Sequence, residues 1–298
     1  MNRDMPIHVV RGFLMGAADI IPGVSGGTVA LILGIYERLV SNIRIGAGSL
    51  SRLVRGDVKG FWKSFTSIEW AFLGPLVIGI GLAVILMATP ITWLLEHHPR
   101  PTAGVFFGLI AGSIAIAWQL LGQRDVVRAM VMAATAVAAF FILGLRGGEV
   151  GDPSSLLFFG AGALAICAMI LPGVSGSFIL LMIGMYQPLL EAVHDRSIAT
   201  LLTFIIGAVV GLAMFSTLLN WLLDNHHDTM LAGLIGLMIG SLRVLWPWPD
   251  GTESTVLGAP DTQVGLIAGL AVISFLAVFS LAKLSPGETK MRAGANAR

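Results

Sequence analysis

The stretch Ile20-Ile21-Pro22-Gly23-Val24-Ser25-Gly26-Gly27-Thr28 decides how this chain folds. It lies between two apolar runs and combines a proline and three glycines with two hydroxyl side chains. Because proline donates no backbone hydrogen bond and glycine adopts conformations that other residues avoid, a helix must break here. A new helix then begins, with Ser25 in the position and of the type that caps a helix N-terminus.

The same stretch returns 150 residues later as Ile170-Leu171-Pro172-Gly173-Val174-Ser175-Gly176-Ser177. Its flank also repeats, since Leu33-Gly34-Ile35-Tyr36 corresponds to Ile183-Gly184-Met185-Tyr186. Further on, the offset falls to 128, with Trp93-Leu94-Leu95-Glu96 matched by Trp221-Leu222-Leu223-Asp224. The repeat predicts two homologous halves, 1–146 and 147–298, of which the first carries an insertion.

The composition is that of a membrane protein. Hydrophobic residues make up 56% of the chain and charged residues 12%, and the mean hydropathy is +0.87. Soluble domains carry about a quarter charged residues, so this chain falls outside that class. The net charge is +1 and the single Cys167 lies in an apolar run. We find no cleavable signal, metal-ligand spacing, P-loop or nucleic-acid motif, and we expect no cofactor.

Apolar length and charge divide each half into a helical hairpin and three spans. A span needs about 20 apolar residues, and the arms of each hairpin are marginally short for one. We therefore predict re-entrant hairpins, with pairs of short complete helices as the alternative. The first half contains a hairpin at 5–41, a basic amphipathic insertion at 44–63, and spans at 69–95, 103–121 and 126–145. The second contains a hairpin at 154–193 and spans at 199–223, 230–246 and 262–282.

This order of segments predicts an all-α polytopic fold with two inverted-topology repeats. A hairpin starts and ends on one side of the membrane, so three spans leave the second half upside down. With both termini in the cytoplasm, 13 Lys and Arg residues lie on the cytoplasmic side and three in periplasmic turns, as the positive-inside rule requires. The insertion, which carries five of these cations, is expected to lie on an anionic leaflet.

The two breaks are candidate anion sites. The free amides at a helix N-terminus, together with the helix dipole, place about half a positive charge there. Ser25, Thr28, Ser175 and Ser177 add hydroxyl donors, while Gly26, Gly27 and Gly176 let a ligand approach the backbone. The alternative is that the glycines only allow close helix packing.

Four charged residues are candidates for coupling, gating or head-group binding. Asp19 precedes the first break and either carries a proton or cation, or ties the turn down by bonding its amides. Glu37 and Arg38 form a gate or a phosphate clamp, or else are a surface Glu and an Arg that extends to the interface. Arg243 either meets an anionic head group or extends to the interface in the same way. Four histidines in expected turns are interpreted as loop residues and not as metal ligands: His97, His98, His226 and His227.

The paired motif resembles the PopT family of membrane proteins, formerly a family of unknown function. The similarity rests on residues 16–28, Gly34-Ile35-Tyr36-Glu37 and Leu171-Pro172-Gly173-Val174-Ser175-Gly176-Ser177, and covers most of the chain. It implies a translocase of the bacterial inner membrane that returns undecaprenyl phosphate, a C55 lipid carrier for cell-wall synthesis, from the periplasmic to the cytoplasmic leaflet. The phosphate would then bind at the two breaks with help from Arg38 or Arg243. Coupling to H+ or Na+ and assembly into homo-oligomers stay open.

Two other function classes compete with a lipid transporter. A membrane undecaprenyl-pyrophosphate phosphatase would share the Pro-Gly-x-Ser turn, but its turn continues with Arg where this chain has Gly26 and Gly176. A phosphatase also needs a nucleophile or base beside a cationic clamp, which the motif lacks. A small-anion transporter would have the same kind of site, and competition between lipid phosphate and a soluble anion separates the two.

Overall fold

A computed structural model describes residues 5–21, 23–145, 147–148, 150–251 and 256–284, with side chains as far as residue 280. Pro22, Arg146 and the polar tail from residue 285 lie outside the described residues. The described ranges contain 13 α-helices and no strand, so the predicted all-α class is confirmed.

The helices follow the apolar segments of the sequence closely. The first seven are α1 Met5–Asp19, α2 Gly26–Ile32, α3 Tyr36–Val54, α4 Val58–Thr66, α5 Trp70–His97, α6 Pro99–Leu120 and α7 Val126–Ile142. The other six are α8 Ser155–Ile170, α9 Gly176–Met182, α10 Tyr186–His194, α11 Ile198–Asn225, α12 His227–Ser241 and α13 Val264–Leu284.

Three helices, α5, α6 and α11, are long and apolar enough to cross a membrane. Shorter apolar helices, α7, α8 and the described part of α13, stand beside them. Their outward faces carry large exposed apolar side chains such as Ile85, Ile206 and Val272, which a lipid environment accommodates and water does not. The protein is therefore a multi-pass membrane protein.

The second arm of each expected hairpin is not one helix but two. The break falls at Gly34 between α2 and α3, and at Gly184 between α9 and α10, where φ is +68° and +72°. At both glycines the helix ends in a Schellman motif, with the following amide bonded five residues back, Ile35 to Ala30 and Met185 to Leu180. Beyond the second of these breaks the chain turns by 108°.

Two segments differ from the sequence prediction. The basic segment 44–63 is not a separate element, because α3 continues without interruption from Tyr36 to Val54 and only α4 is new. The apolar segment 230–246 is helical only as far as Ser241, and residues from Leu242 form turns that lead into a tryptophan-containing loop.

Four helix pairs pack closely through glycine, and in each pair the helices run in the same direction. The contacts advance together along both partners: Gly12 with Leu76 and Gly16 with Ile80 (α1, α5), Gly207 with Phe159 and Gly211 with Ala163 (α11, α8), Gly108 with Ala271 and Gly112 with Phe275 (α6, α13), Gly236 with Met132 and Gly240 with Ala136 (α12, α7). A side chain at these positions would overlap the neighbouring backbone, so the interfaces depend on small residues.

Polar contacts mark the two ends of the helix bundle. At one end, Arg38 pairs with Glu69 before α5, and Glu37 contacts His227 after α11. The start of α5 and the end of α11 are thus neighbours, and these two helices run in opposite directions. Helix α1 runs in the same direction as α5, and α8 runs in the same direction as α11. The two arms that lead to the breaks therefore approach from opposite ends of the protein. At the other end, Arg100 bonds the loop before α13 through the Pro249 carbonyl and Thr262.

Candidate functional site: the crossing of two serine turns

The two breaks have the same backbone conformation. Gly23 and Gly173 have φ values of +83° and +85°, in the left-handed region where side chains other than glycine are disfavoured. Each preceding helix ends in the same way, with the Ile21 amide bonded to Ala18 and the Leu171 amide to Ala168. The repeated sequence therefore builds the same turn twice.

The two turns contact each other directly, an arrangement that we call the crossing. The Ser25 hydroxyl donates to the Met169 carbonyl oxygen at 3.0 Å, and the Gly173 amide donates to the Thr28 hydroxyl at 2.9 Å. Ser25 also accepts a hydrogen bond from the Gly27 amide at 3.1 Å. The first motif thus supplies both hydroxyls that bind it to the second.

The crossing is buried and tightly packed. Ser25, Thr28 and Ser175 are 0%, 1% and 5% exposed. A side chain at Gly27 would place its Cβ 2.5 Å from the Ile170 carbonyl oxygen, so only glycine allows this approach. In this conformation Gly27, predicted to give a ligand access to the backbone, allows close contact between the two motifs. Close packing was the alternative role for these glycines.

The first helix end is occupied by a carboxylate. Asp19 Oδ1 accepts a hydrogen bond from the Gly26 amide at 2.6 Å, which is the bond that an anionic ligand would otherwise receive. Asp19 therefore ties the turn down, as one of the two sequence hypotheses expects. In the second motif its counterpart Met169 lies against Gly176 through its side chain, so the two helix ends differ in charge.

The second helix end is less saturated. Ser175 makes no side-chain cap bond to the amides of α9; its hydroxyl instead lies 2.8 Å from that of Ser177. Ser177 is partly exposed, in contrast to the fully buried Ser25. The second break therefore offers a pair of hydroxyls at a helix end. Unlike the first break, it has no carboxylate at the position before the turn, where Met169 replaces Asp19.

Arg38 lies beside the start of α5, whereas Arg243 follows α12 in a segment whose next residues, Val244 and Leu245, lie against Gly23 of the first turn. The Arg38 guanidinium contacts Glu69 at 2.6 Å and lies 4.3 Å from the centre of the Phe72 ring. Arg243 follows α12 and lies 4.6 Å from the centre of the Phe140 ring on α7. A role of either arginine in phosphate binding therefore stays a prediction.

Glu37 belongs to a polar cluster that the sequence did not reveal. Its carboxylate lies 2.9 Å from His227 Nε2, and the neighbouring Asp228 accepts hydrogen bonds from the Gly122 and Gln123 amides. The Glu37 hydrogen bond raises the pKa of His227, opposed by its partial burial. His227 is therefore the first residue of α12 and an electrostatic partner of α3, and not the loop residue expected. No signal in the sequence pairs residues 190 positions apart.

Comparison with known proteins decides the family. Residues 15–282 match the model of the VCA0040-like family, which is described as undecaprenyl phosphate translocase-like. The chain belongs to this family. The matched range covers both serine turns and every helix from the end of α1 to α13, so family membership concerns the whole bundle and confirms the resemblance seen in the motifs.

Two relatives support the same assignment. A polyprenyl-phosphate transporter of Vibrio cholerae serotype O1 is 42% identical over 258 residues, 87% of this chain and 82% of the relative. A polyprenyl-phosphate transporter of Staphylococcus aureus is 31% identical over 298 residues, 94% of this chain and 96% of the relative. No solved structure matches the chain.

Proposed function

We propose that this protein carries a polyprenyl phosphate, specifically undecaprenyl phosphate, across the bacterial inner membrane from the periplasmic to the cytoplasmic leaflet. The observation that carries the proposal is the buried contact between the two serine turns, in a chain whose relatives are named polyprenyl-phosphate transporters. A lipid phosphate has a charged head that must cross hydrocarbon and a tail that stays in it. The protein acts as a transporter and not as an enzyme.

The proposed architecture is a pair of inverted repeats, 1–146 and 147–298, each with a re-entrant hairpin and three spans. It is supported by the opposite directions of α1 and α8, since α1 is parallel to α5 and α8 is parallel to α11. Both termini then lie in the cytoplasm. Transporters of this build expose a midplane site alternately to the two sides by rocking one repeat against the other.

The proposed phosphate site is the crossing itself, opened by a few ångströms. Ser25, Thr28, Ser175 and Ser177 supply hydroxyls, and the amides of Gly26, Gly27 and Gly176 supply backbone donors. In the closed conformation the turns satisfy one another, since Ser25 bonds Met169 and Thr28 bonds Gly173. A phosphate replaces these bonds when the repeats separate, so the empty site need not leave buried groups unpaired.

Asp19 is proposed as the residue that couples this exchange to an ion. Its carboxylate occupies the Gly26 amide and repels an arriving phosphate. Protonation, or pairing with Na+, removes that repulsion and releases the amide for the substrate. Arg38, beside the start of α5, and Arg243, which follows α12 near the first turn, are proposed to attract the head group on its way to and from the crossing, with Glu37 as a gate beside Arg38.

The proposal is tested by leaflet transfer in vesicles. The purified protein is reconstituted with undecaprenyl phosphate, and a membrane-impermeant phosphatase is added outside. Without transfer, the inner-leaflet lipid stays protected; with it, all of the lipid is hydrolysed. We expect Ser25→Ala to slow transfer and Asp19→Asn to lose its dependence on the ion gradient. Ser67→Ala, which removes a surface hydroxyl on the α4 side, is the matched control.

Three outcomes contradict the proposal. Protection that persists in the presence of the parent protein means that the lipid is not its substrate. Equal competition by inorganic phosphate and lipid phosphate favours a small-anion transporter. Release of phosphate from undecaprenyl pyrophosphate by the protein alone favours the phosphatase.

A further inference from the structure

An apolar cavity of about 290 Å³ lies beside the first serine turn. Its walls come from α1, α2, α5, α6 and α13, with Ala17, Thr28, Ile110 and Val278 among the lining side chains. Its position next to one turn, and its walls from both halves of the chain, make it part of the region that must rearrange when the crossing opens.

The lining of the cavity selects an apolar ligand. Among the described residues that line it, none is charged and the only hydroxyls are those of Thr28 and Ser113. Both hydroxyls already have partners, because Thr28 accepts from the Gly173 amide and Ser113 donates to the Leu109 carbonyl at 2.7 Å. Because nearly all of the lining is hydrocarbon, a polar ligand would lose its hydrogen bonds to water on entering, whereas an apolar ligand has none to lose.

Thr28 connects the cavity to the crossing. The same side chain that lines the cavity holds the Gly173 amide of the other motif. A ligand with its head at the crossing therefore has its next atoms at the cavity. The lining also includes Leu14 of α1, whose side chain is 42% exposed. The cavity therefore reaches the outer surface of the bundle at Leu14 and the first turn at Thr28.

We propose that this cavity binds the head-proximal isoprene units of a polyprenyl phosphate while the phosphate occupies the crossing. The inference rests on the proposed function and adds where the tail is recognised. The volume of the cavity lies just below the range of about 300–1,000 Å³ that holds a drug-sized ligand, so only a short part of a C55 chain fits. The remaining chain stays in lipid between α1 and α13. The site therefore distinguishes the first branched, unsaturated units and not the total length.

Photolabelling locates the tail without any substitution. A farnesyl phosphate that carries a diazirine on its first isoprene unit is bound to the parent protein in phosphatidylcholine nanodiscs and irradiated. We expect labelled peptides from α1, α2 and α6, and loss of labelling when undecaprenyl phosphate competes. Labelling confined to helices that do not line the cavity, or equal labelling by a phosphatidylcholine with a diazirine acyl chain, overturns the inference, because the cavity would then not bind the isoprenoid.

A filling substitution tests the same site through function. Ala17→Phe places a ring in the cavity, whereas Val10→Phe adds the same ring on the same helix at a side chain that is 57% exposed and outside the lining. We expect Ala17→Phe to weaken farnesyl phosphate labelling by about tenfold and Val10→Phe to leave it unchanged. Size-exclusion chromatography confirms that each variant is folded, and the parent labelling stands if Ala17→Phe is not.

The two proposals fail in different ways. If the protein does not transport polyprenyl phosphates, the parent neither transfers the lipid nor takes up the label in competition with it. If it transports them without using this cavity, the parent transfers the lipid, the label appears elsewhere and folded Ala17→Phe transfers at the parent rate.

Discussion

At the residue scale, Thr28 has both a polar and an apolar neighbour to satisfy. It is 1% exposed, its hydroxyl accepts the Gly173 amide, and its side chain also lines the apolar cavity. A threonine meets both requirements, because one branch of its side chain is polar and the other apolar. Valine keeps the shape and the apolar branch but removes the acceptor.

We expect Thr28→Val to destabilise the protein by about 1–3 kcal/mol, because it leaves the buried Gly173 amide without an acceptor. Thr28→Ser keeps the acceptor and is the matched variant, with a smaller loss from the missing methyl group. The free energy of unfolding in mild detergent measures both. A valine variant as stable as the parent would mean that the crossing does not depend on this bond.

His227 gives the protein a pH-dependent contact between α3 and α12. Its pKa is raised by Glu37, with Asp228 acting in the same direction, so the protonated form favours the contact. The stabilisation is complete below the ordinary histidine pKa of about 6.5 and is lost as the pH rises through the raised value in the folded protein.

We expect the unfolding free energy of the parent to fall across this window, from about pH 6.5 upward, and that of His227→Gln to fall less. His98→Gln removes an exposed histidine from the opposite end of α5 and should retain the parent profile. Identical pH profiles for the parent and His227→Gln would show that the Glu37 contact has no charged component in solution.

At the element scale, the end of α3 and the whole of α4 form a basic, aromatic surface that has no counterpart in α10, the shorter helix of the second half. Its cations, all exposed, are Arg44, Arg52, Arg55, Lys59 and Lys63. Phe61, Trp62, Phe65 and Trp70 pack together beside them, and Trp62 is 57% exposed. Basic side chains around exposed aromatics are typical of a helix that lies in the interface of an anionic leaflet.

We expect Trp62 to enter the lipid interface, and more deeply when the leaflet is anionic. Tryptophan quenching by brominated lipid, taken as the difference between the parent and Trp62→Phe, measures this depth in nanodiscs. Lys59→Glu with Lys63→Glu should reduce the quenching in anionic lipid, since each basic residue near such a surface contributes about 1 kcal/mol. The control is the same double variant in neutral lipid, where its quenching should equal that of the parent. Quenching that is the same in both lipids contradicts the expected attraction.

Across the whole molecule, each half packs its last helix against the other half. The third long helix of each half packs on the other half, α7 on α12 and α13 on α6. Each of these interfaces contains glycines that lie against the partner backbone, so neither half can bury its glycine face alone. The crossing adds hydrogen bonds between the halves at the centre.

We therefore expect residues 1–146 and 147–298, expressed as separate chains, to be stable only together. Co-expressed fragments should co-purify and elute as one species, whereas each fragment alone should aggregate or be degraded. Gly240→Leu, which would overlap Ala136 on α7, should reduce the co-purification. Gly160→Leu is a control of the same type, because a side chain there meets open space. A single fragment that is monodisperse and helical by itself would contradict this expectation.

The helical class and the position of the breaks followed from the sequence because they depend on local chemistry. Apolar runs near membrane length are expected to be helical, and the proline and glycines of each motif, followed by a serine cap, favour an interruption. The glycines at 34 and 184 carried a signal for the second pair of breaks, since glycine is the usual residue after a helix C-terminus. The apolar character of the surrounding residues hid that signal, and each second arm was predicted as one helix.

The partners of the polar side chains were decided only by the tertiary structure. Asp19 lies close to Gly26 in the chain, so its bond was among the sequence hypotheses, but Arg38 with Glu69 and Glu37 with His227 depend on how separate helices pack. The contact between Ser25 and Met169 likewise joins residues 144 positions apart. The sequence determined that the chain is helical and where the two serine turns interrupt it, because those choices rest on neighbouring residues. Only packing decided that the two turns would satisfy each other and leave an apolar cavity beside them.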